Sequence, residues 1–172
     1  VQPYAPNESE KERALQFSYP EGAPYPDEQM RMVNQVDCFD AEGGPHGLGF
    51  IRGTAEVNPD AWFFKAHFHQ DPVWPGSLGL ESFMQLLKVV AHQRWGEGNG
   101  GLKYDFQCMA LGQQHSWLYR GQILPVDERV TVQAVITGVD DEQKQLVAEG
   151  FLSVDGRIIY QMNDFALRMT ES

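Results

Sequence analysis

Cysteine is scarce in this chain: Cys38 and Cys108 are the only two, they form no CxxC pair, and two are too few for the disulfide framework of a small secreted domain. A reducing compartment is the expectation. Basic residues are outnumbered as well, 13 Lys plus Arg against 24 Asp plus Glu for a net charge of −11 at pH 7, which disfavours a phosphate backbone or an anionic membrane as the main partner. No stretch approaches the roughly 18 apolar residues of a membrane span, and the N-terminus lacks a basic region followed by an apolar one. The expected setting is therefore the cytoplasm, with neither nucleic acid nor membrane as partner. The chain begins at Val1 rather than Met, which fits either a processed chain or a piece of a longer polypeptide. There is no internal repeat and no low-complexity tract.

What is present is enough for one domain with a real core: 172 residues, 42% hydrophobic and 22% charged, close to globular norms. Residues 1–29 hold Pro3, Pro6, Pro20, Pro24 and Pro26 among polar neighbours, a composition that predicts a linker or surface arm with at most a turn or two of helix at Glu10 to Phe17. A single domain is expected from residue 30 to 172. Its first strand is read around Val33 and Val36, closed by a turn at Gly43-Gly44-Pro45, and its second from Gly47 to Val57. One long helix is read from Leu78 to Trp95, where Leu80, Phe83, Met84, Leu87, Val90 and Ala91 recur at three and four residue intervals. Pro75 and Gly76 mark its start; Gly96, Gly98, Gly100 and Gly101 mark its stop. Strands follow at Trp117 to Leu124, Arg129 to Gly138, Gln145 to Val154 and Arg157 to Leu167. Asp155-Gly156 between the last two is the signal of a two-residue hairpin. A buried helix followed by an antiparallel sheet is an α+β domain whose sheet can curl around the helix.

The chemistry concentrates between Asn58 and Leu87. His67, His69 and Asp71 spell H-x-H-x-D, the opening of a zinc motif, but residue 72 is Pro where the next ligand belongs. His46, His92 and His115 sit in no ligand spacing, so no metal is expected. The alternative is an acid/base pair, His67 and Glu81, fourteen residues apart with the helix starting between them. Gly76 at that start supplies a backbone N–H at the positive end of the helix dipole, suited to polarising a carbonyl. Tyr104, His115 and Trp117 are conspicuous but are given no catalytic role, and G-S-L-G at residues 76–79 is no nucleophile elbow.

The segment HFHQDPVWPGSLGLESFMQLL resembles the signature of the β-hydroxyacyl-acyl-carrier-protein dehydratases, especially the β-hydroxydecanoyl type, in which a His is followed by D-P-V-x-P-G-x-L-G-L-D and a Gln. NPDAWFF, GQILP and VDGRIIY extend the resemblance over roughly Tyr25 to Arg168. YRGQILP is most similar to dehydratase domains of polyunsaturated fatty acid synthases and iterative polyketide synthases. The resemblance implies a hotdog fold, a long central helix wrapped by a curved antiparallel sheet, working as a homodimer or tandem double hotdog. It implies His67 and Glu81 as the catalytic pair, the Gly76 amide on the thioester carbonyl, and Gln85 orienting the acid. His67 and Glu81 of one site would come from different hotdogs. The substrate would ride on the phosphopantetheine of an acyl carrier protein, with no cofactor. Candidate tunnel-lining residues are Phe68, Val73, Trp74, Leu78, Leu80 and Phe83, for each of which ordinary core packing is the alternative.

Three departures stand out. Glu81 replaces the Asp of the β-hydroxydecanoyl type, Ser77 replaces its Cys, and Lys65-Ala66 replaces Gly-Cys before the histidine. Dehydration survives these changes; the trans-2 to cis-3 isomerisation of that type is not inferred. The competing classes are a hotdog thioesterase and a non-catalytic hotdog module of a megasynthase.

Overall fold

The computed structural model of the chain describes residues 2–13, 24–96 and 103–171. The short helix α1 (Glu8–Arg13) precedes strands β1 (Gln35–Asp40) and β2 (Phe50–Glu56), a one-turn helix α2 (Trp62–Ala66) and the long helix α3 (Gly76–Ala91). Then come β3 (Tyr104–Cys108), β4 (Ser116–Tyr119), β5 (Arg129–Asp140), β6 (Gln145–Val154) and β7 (Arg157–Glu171). The seven strands form one antiparallel sheet in the order β1-β2-β5-β6-β7-β3, with β4 also paired to β7.

Helix α3 packs against β2, β5, β6 and β7. Strands about 4.8 Å apart make that row wider than the roughly 10 Å of a helix, so the sheet has to curve around α3 to touch it along all four. The sequence of α3 suits this position: from Ser82 to Ala91 every residue is buried. Phe83, Leu86, Leu87 and Val90 share one core with Ile51, Val132, Ile136, Leu152, Tyr160 and Phe165.

The opposite face of the sheet carries a second, small cluster of Cys38, Phe50 and Val135, against which Tyr4 packs. The Tyr4 and Phe50 rings meet edge-on at 5.1 Å. Glu10 is only 4% exposed because its carboxylate accepts from the Tyr4 hydroxyl, the Asn7 N–H at 2.7 Å and the Gly44 N–H at 2.9 Å. Residues 2–13 thus lie docked on the sheet, and the helix expected at 10–17 is α1 as far as Arg13; residues 14–17 lie outside the described residues.

The structure corrects several sequence boundaries. The first strand starts at Gln35, since Val33 sits in the core ahead of it. The long helix is α-helical only to Ala91 and closes with a π turn, His92–Gly96, where His92 Nδ1 meets the Tyr104 hydroxyl; Gly98, Gly100 and Gly101 lie outside the described residues. The strand expected at 117–124 ends at Tyr119, because Ile123 turns away to accept the Trp74 N–H at 3.0 Å. The last strand runs on to Glu171, since β3, a strand not expected from the sequence, pairs with its final residues from Leu167 onward. At Asp155-Gly156 both φ angles are positive, 48° and 80°, as the hairpin requires. Among the described residues no helix is long and apolar enough to cross a membrane.

Candidate active site

The entry to α3 is built from segments far apart in sequence. Pro75 stands at the N-cap and no side chain caps the helix; the Pro75 carbonyl instead accepts from Leu78 and Gly79 at 3.0 and 3.3 Å. The first-turn N–H of Gly76 is one of the donors that a helix leaves unused. Trp117 and Tyr119 crowd the Cα of Gly76: a Cβ there would stand 3.0 Å from the Trp117 ring and 3.1 Å from the Tyr119 ring. These two rings and Tyr160 form a mutual cluster with centroids 5.0–5.4 Å apart. Trp117, given no role from sequence, therefore shapes the surroundings of Gly76. Burial pushes the Tyr160 phenol far up, so it stays a neutral hydroxyl.

Gly79 is where Tyr160 lies against the helix backbone, and a Cβ there would overlap the ring. Gly79→Ala is expected to cost about 1–3 kcal/mol through forced repacking, visible as a lower midpoint in urea unfolding. An unchanged midpoint would mean that Tyr160 moves aside freely.

His67 follows α2 directly, its N–H donating to the Phe63 carbonyl at 3.0 Å. The ring is half-buried and stacks on Phe68 with centroids 4.0 Å apart. Its Nδ1 is buried without a hydrogen-bond partner among the described residues, as are Trp74 Nε1, Trp117 Nε1 and the Tyr160 hydroxyl. His69 and Asp71 are exposed, and among the described residues no three His, Cys, Asp or Glu side chains are grouped to hold a metal ion.

Glu81 lies one turn into α3 with Gln85 and Lys88 at i+4 and i+7, hence on the same face. Gln85 is fully buried. It is fixed from both ends: its Nε2 donates to the Met30 carbonyl at 2.8 Å and to Glu81 Oε1 at 3.0 Å, while its Oε1 accepts the Met32 N–H at 2.9 Å. Lys88 Nζ donates to the same Glu81 oxygen at 3.2 Å, with its own side chain 9% exposed and that of Glu81 26%. Glu81 is thus set among polar partners at one oxygen rather than in wholly apolar surroundings. Lys88 was missed in the sequence, although its i+7 spacing was the available signal; its burial comes from the packing.

Within one chain no hydrogen bond or ion pair joins His67 to Glu81 among the described residues. Of the tunnel candidates, Val73, Trp74, Leu78 and Phe83 are core residues at most 8% exposed. Trp74 packs on Phe63 at 4.7 Å and Phe83 meets Phe165 at 5.7 Å, so in the single chain packing consumes these side chains. Leu80 is partly buried against the same core, and Phe68 is 55% exposed.

Comparison with known proteins agrees with this architecture. A component of the polyunsaturated fatty acid synthase of Thraustochytrium sp. is 36% identical over 143 residues, 82% of this chain and 9% of that protein, so the chain spans about a tenth of its relative's length. Among solved structures, the dehydratase heterocomplex ApeI:P from Xenorhabdus doucetiae superposes with a TM-score of 0.58 at 17% identity, covering 87% of this chain and 88% of that one. A mutant thioesterase from Pseudomonas aeruginosa gives 0.54 at 11% identity, covering 80% and 81%. At these identities the two structures establish the shared hotdog fold alone. The family described as FabA-like domain matches residues 25–163, a span that holds His67, Gly76, Glu81 and Gln85, and the chain belongs to that family.

Proposed function

We propose that this chain is a dehydratase domain, a hydro-lyase that removes water from a (3R)-3-hydroxyacyl thioester to give the trans-2-enoyl thioester. The substrate is carried on the phosphopantetheine of an acyl carrier protein, in fatty acid, polyunsaturated fatty acid or polyketide biosynthesis. The observation that carries this reading is a carboxyl group at Glu81 held by Gln85 on the central helix of a FabA-like domain that also holds His67.

The reaction needs two proton movements. His67 takes the α-proton through Nε2, the ring nitrogen left accessible when Nδ1 is buried. The electron pair of that C–H bond forms the new double bond, and the Gly76 N–H stabilises charge on the thioester oxygen meanwhile. Glu81 gives a proton to the β-hydroxyl as the C–O bond breaks, so water leaves neutral. His67 then holds one proton more and Glu81 one fewer, and return of a proton between them through water restores the start. The elimination is redox-neutral and calls for no cofactor. As the family resemblance implies, the working unit is a homodimer or tandem double hotdog in which each site takes His67 from one hotdog and Glu81 from the other.

A thioesterase would share the fold, as the Pseudomonas structure does, but hydrolysis gives no use to a histidine base facing the α-carbon. Incubation with a 3-hydroxyacyl thioester and mass spectrometry of the product separates the readings. Loss of one water with the thioester intact is expected. Release of free acid would favour the thioesterase, and unchanged substrate the non-catalytic module.

A further inference from the structure

We infer that Lys88 is a positioning residue for the acid, selecting which oxygen of Glu81 delivers the proton and stabilising the carboxylate that remains. The inference rests on the dehydratase reading and deepens it.

Glu81 Oε1 accepts from two N–H donors, Gln85 Nε2 at 3.0 Å and Lys88 Nζ at 3.2 Å. An O–H at that oxygen would point a proton at donors, so the acidic proton has to reside on Oε2. Among the described residues Oε2 has no hydrogen bond, which leaves it for the substrate hydroxyl. The two donors differ in what they supply. Gln85, anchored to Met30 and Met32, fixes the position of the carboxyl group but is neutral. Lys88 brings a full charge to the oxygen pair, where negative charge grows as the proton departs.

The cost of placing Lys88 there argues that the charge is used. Its side chain is 9% exposed on a helix whose neighbouring positions, Leu86, Leu87, Val89 and Val90, are all apolar and buried. An ammonium so covered is expensive unless paired, and an apolar side chain would fill the place without that cost. Its other neighbour, the half-buried Cys108 on β3, is a thiol that burial pushes toward the neutral form, so it supplies no counter-charge. Glu81 is the one acid among the described residues within ion-pair distance of Lys88, at 3.2 Å, so the buried ammonium gains its counter-charge only once Glu81 has given up its proton.

The test compares Lys88→Met with the wild-type chain, using a 3-hydroxyacyl thioester as substrate. A fall of tenfold or more in kcat with KM within threefold is expected, since the charge acts as the proton leaves and not when substrate binds. A smaller fall, or a loss appearing in KM, overturns the inference. Should Lys88→Met not fold, the double variant Lys88→Met, Glu81→Gln decides, because it removes both charges together. Acting through Glu81 alone, Lys88→Met should leave the residual rate of Glu81→Gln unchanged within threefold; a further loss would assign Lys88 a general structural role and overturn the inference. Failure of the dehydratase reading is distinct, for then the wild-type chain itself forms no enoyl thioester, and the inference falls with it.

Discussion

Replacing His67 with Ala is expected to lower the rate of water elimination by about 10²–10⁴-fold, the usual worth of a positioned proton carrier, while the chain remains folded. The ring is half-buried and stacks on Phe68, itself 55% exposed, so its loss opens no deep cavity. Glu81→Gln should cause a loss of the same order for a different reason. The amide keeps the shape and still accepts from Gln85 and Lys88, but it has no proton to give. In the unreacted chain the amide and a protonated Glu81 offer Lys88 the same neutral acceptor, so stability should change by less than about 1 kcal/mol. Circular dichroism and urea titration report the fold and stability, and enoyl formation reports the chemistry. Near wild-type turnover in either folded variant would remove the pair from the mechanism.

Mixing the two inactive proteins should restore activity. If each site takes His67 from one hotdog and Glu81 from the other, a heterodimer of the His67→Ala and Glu81→Gln chains holds one intact site and one site lacking both groups. Random exchange at equal concentrations makes half the dimers mixed, so about a quarter of wild-type activity is expected at full exchange. Native mass spectrometry establishes whether exchange occurred. Exchange without recovered activity would show that both groups of a site belong to one chain, as would full activity from a monomer. The expectation rests on the family resemblance, in which the histidine and the acid of one site come from different hotdogs.

Much of the site was legible in the sequence because its residues are local. His67, Gly76, Glu81 and Gln85 lie within nineteen positions, on one short helix, a loop and the first turns of one long helix, so spacing alone aligns Glu81 with Gln85. The Asp155-Gly156 hairpin was legible for the same reason, its backbone demand being met by two adjacent residues. The core helix announced itself through apolar residues at helical intervals, and here periodicity and burial coincide.

Other features depend on distant chain segments, and only the tertiary structure decided them. Strand β3 alternates Tyr104, Phe106 and Cys108 with polar residues, yet it becomes a strand by pairing with the far end of β7, some sixty residues on. Trp117 and Tyr119 reach Gly76 because β4 lies beside β7, whose Tyr160 completes the ring cluster. Lys88 drew no notice in the sequence, and its burial beside Glu81 comes only from the sheet closing over α3. Sequence by itself determined the family and the core helix, and it named His67 and Glu81 as the proposed base and acid, since these are set by spacing along the chain. The burial of Lys88 beside Glu81, and the rings of Trp117 and Tyr119 that crowd Gly76, follow from long-range packing, which no local pattern encodes.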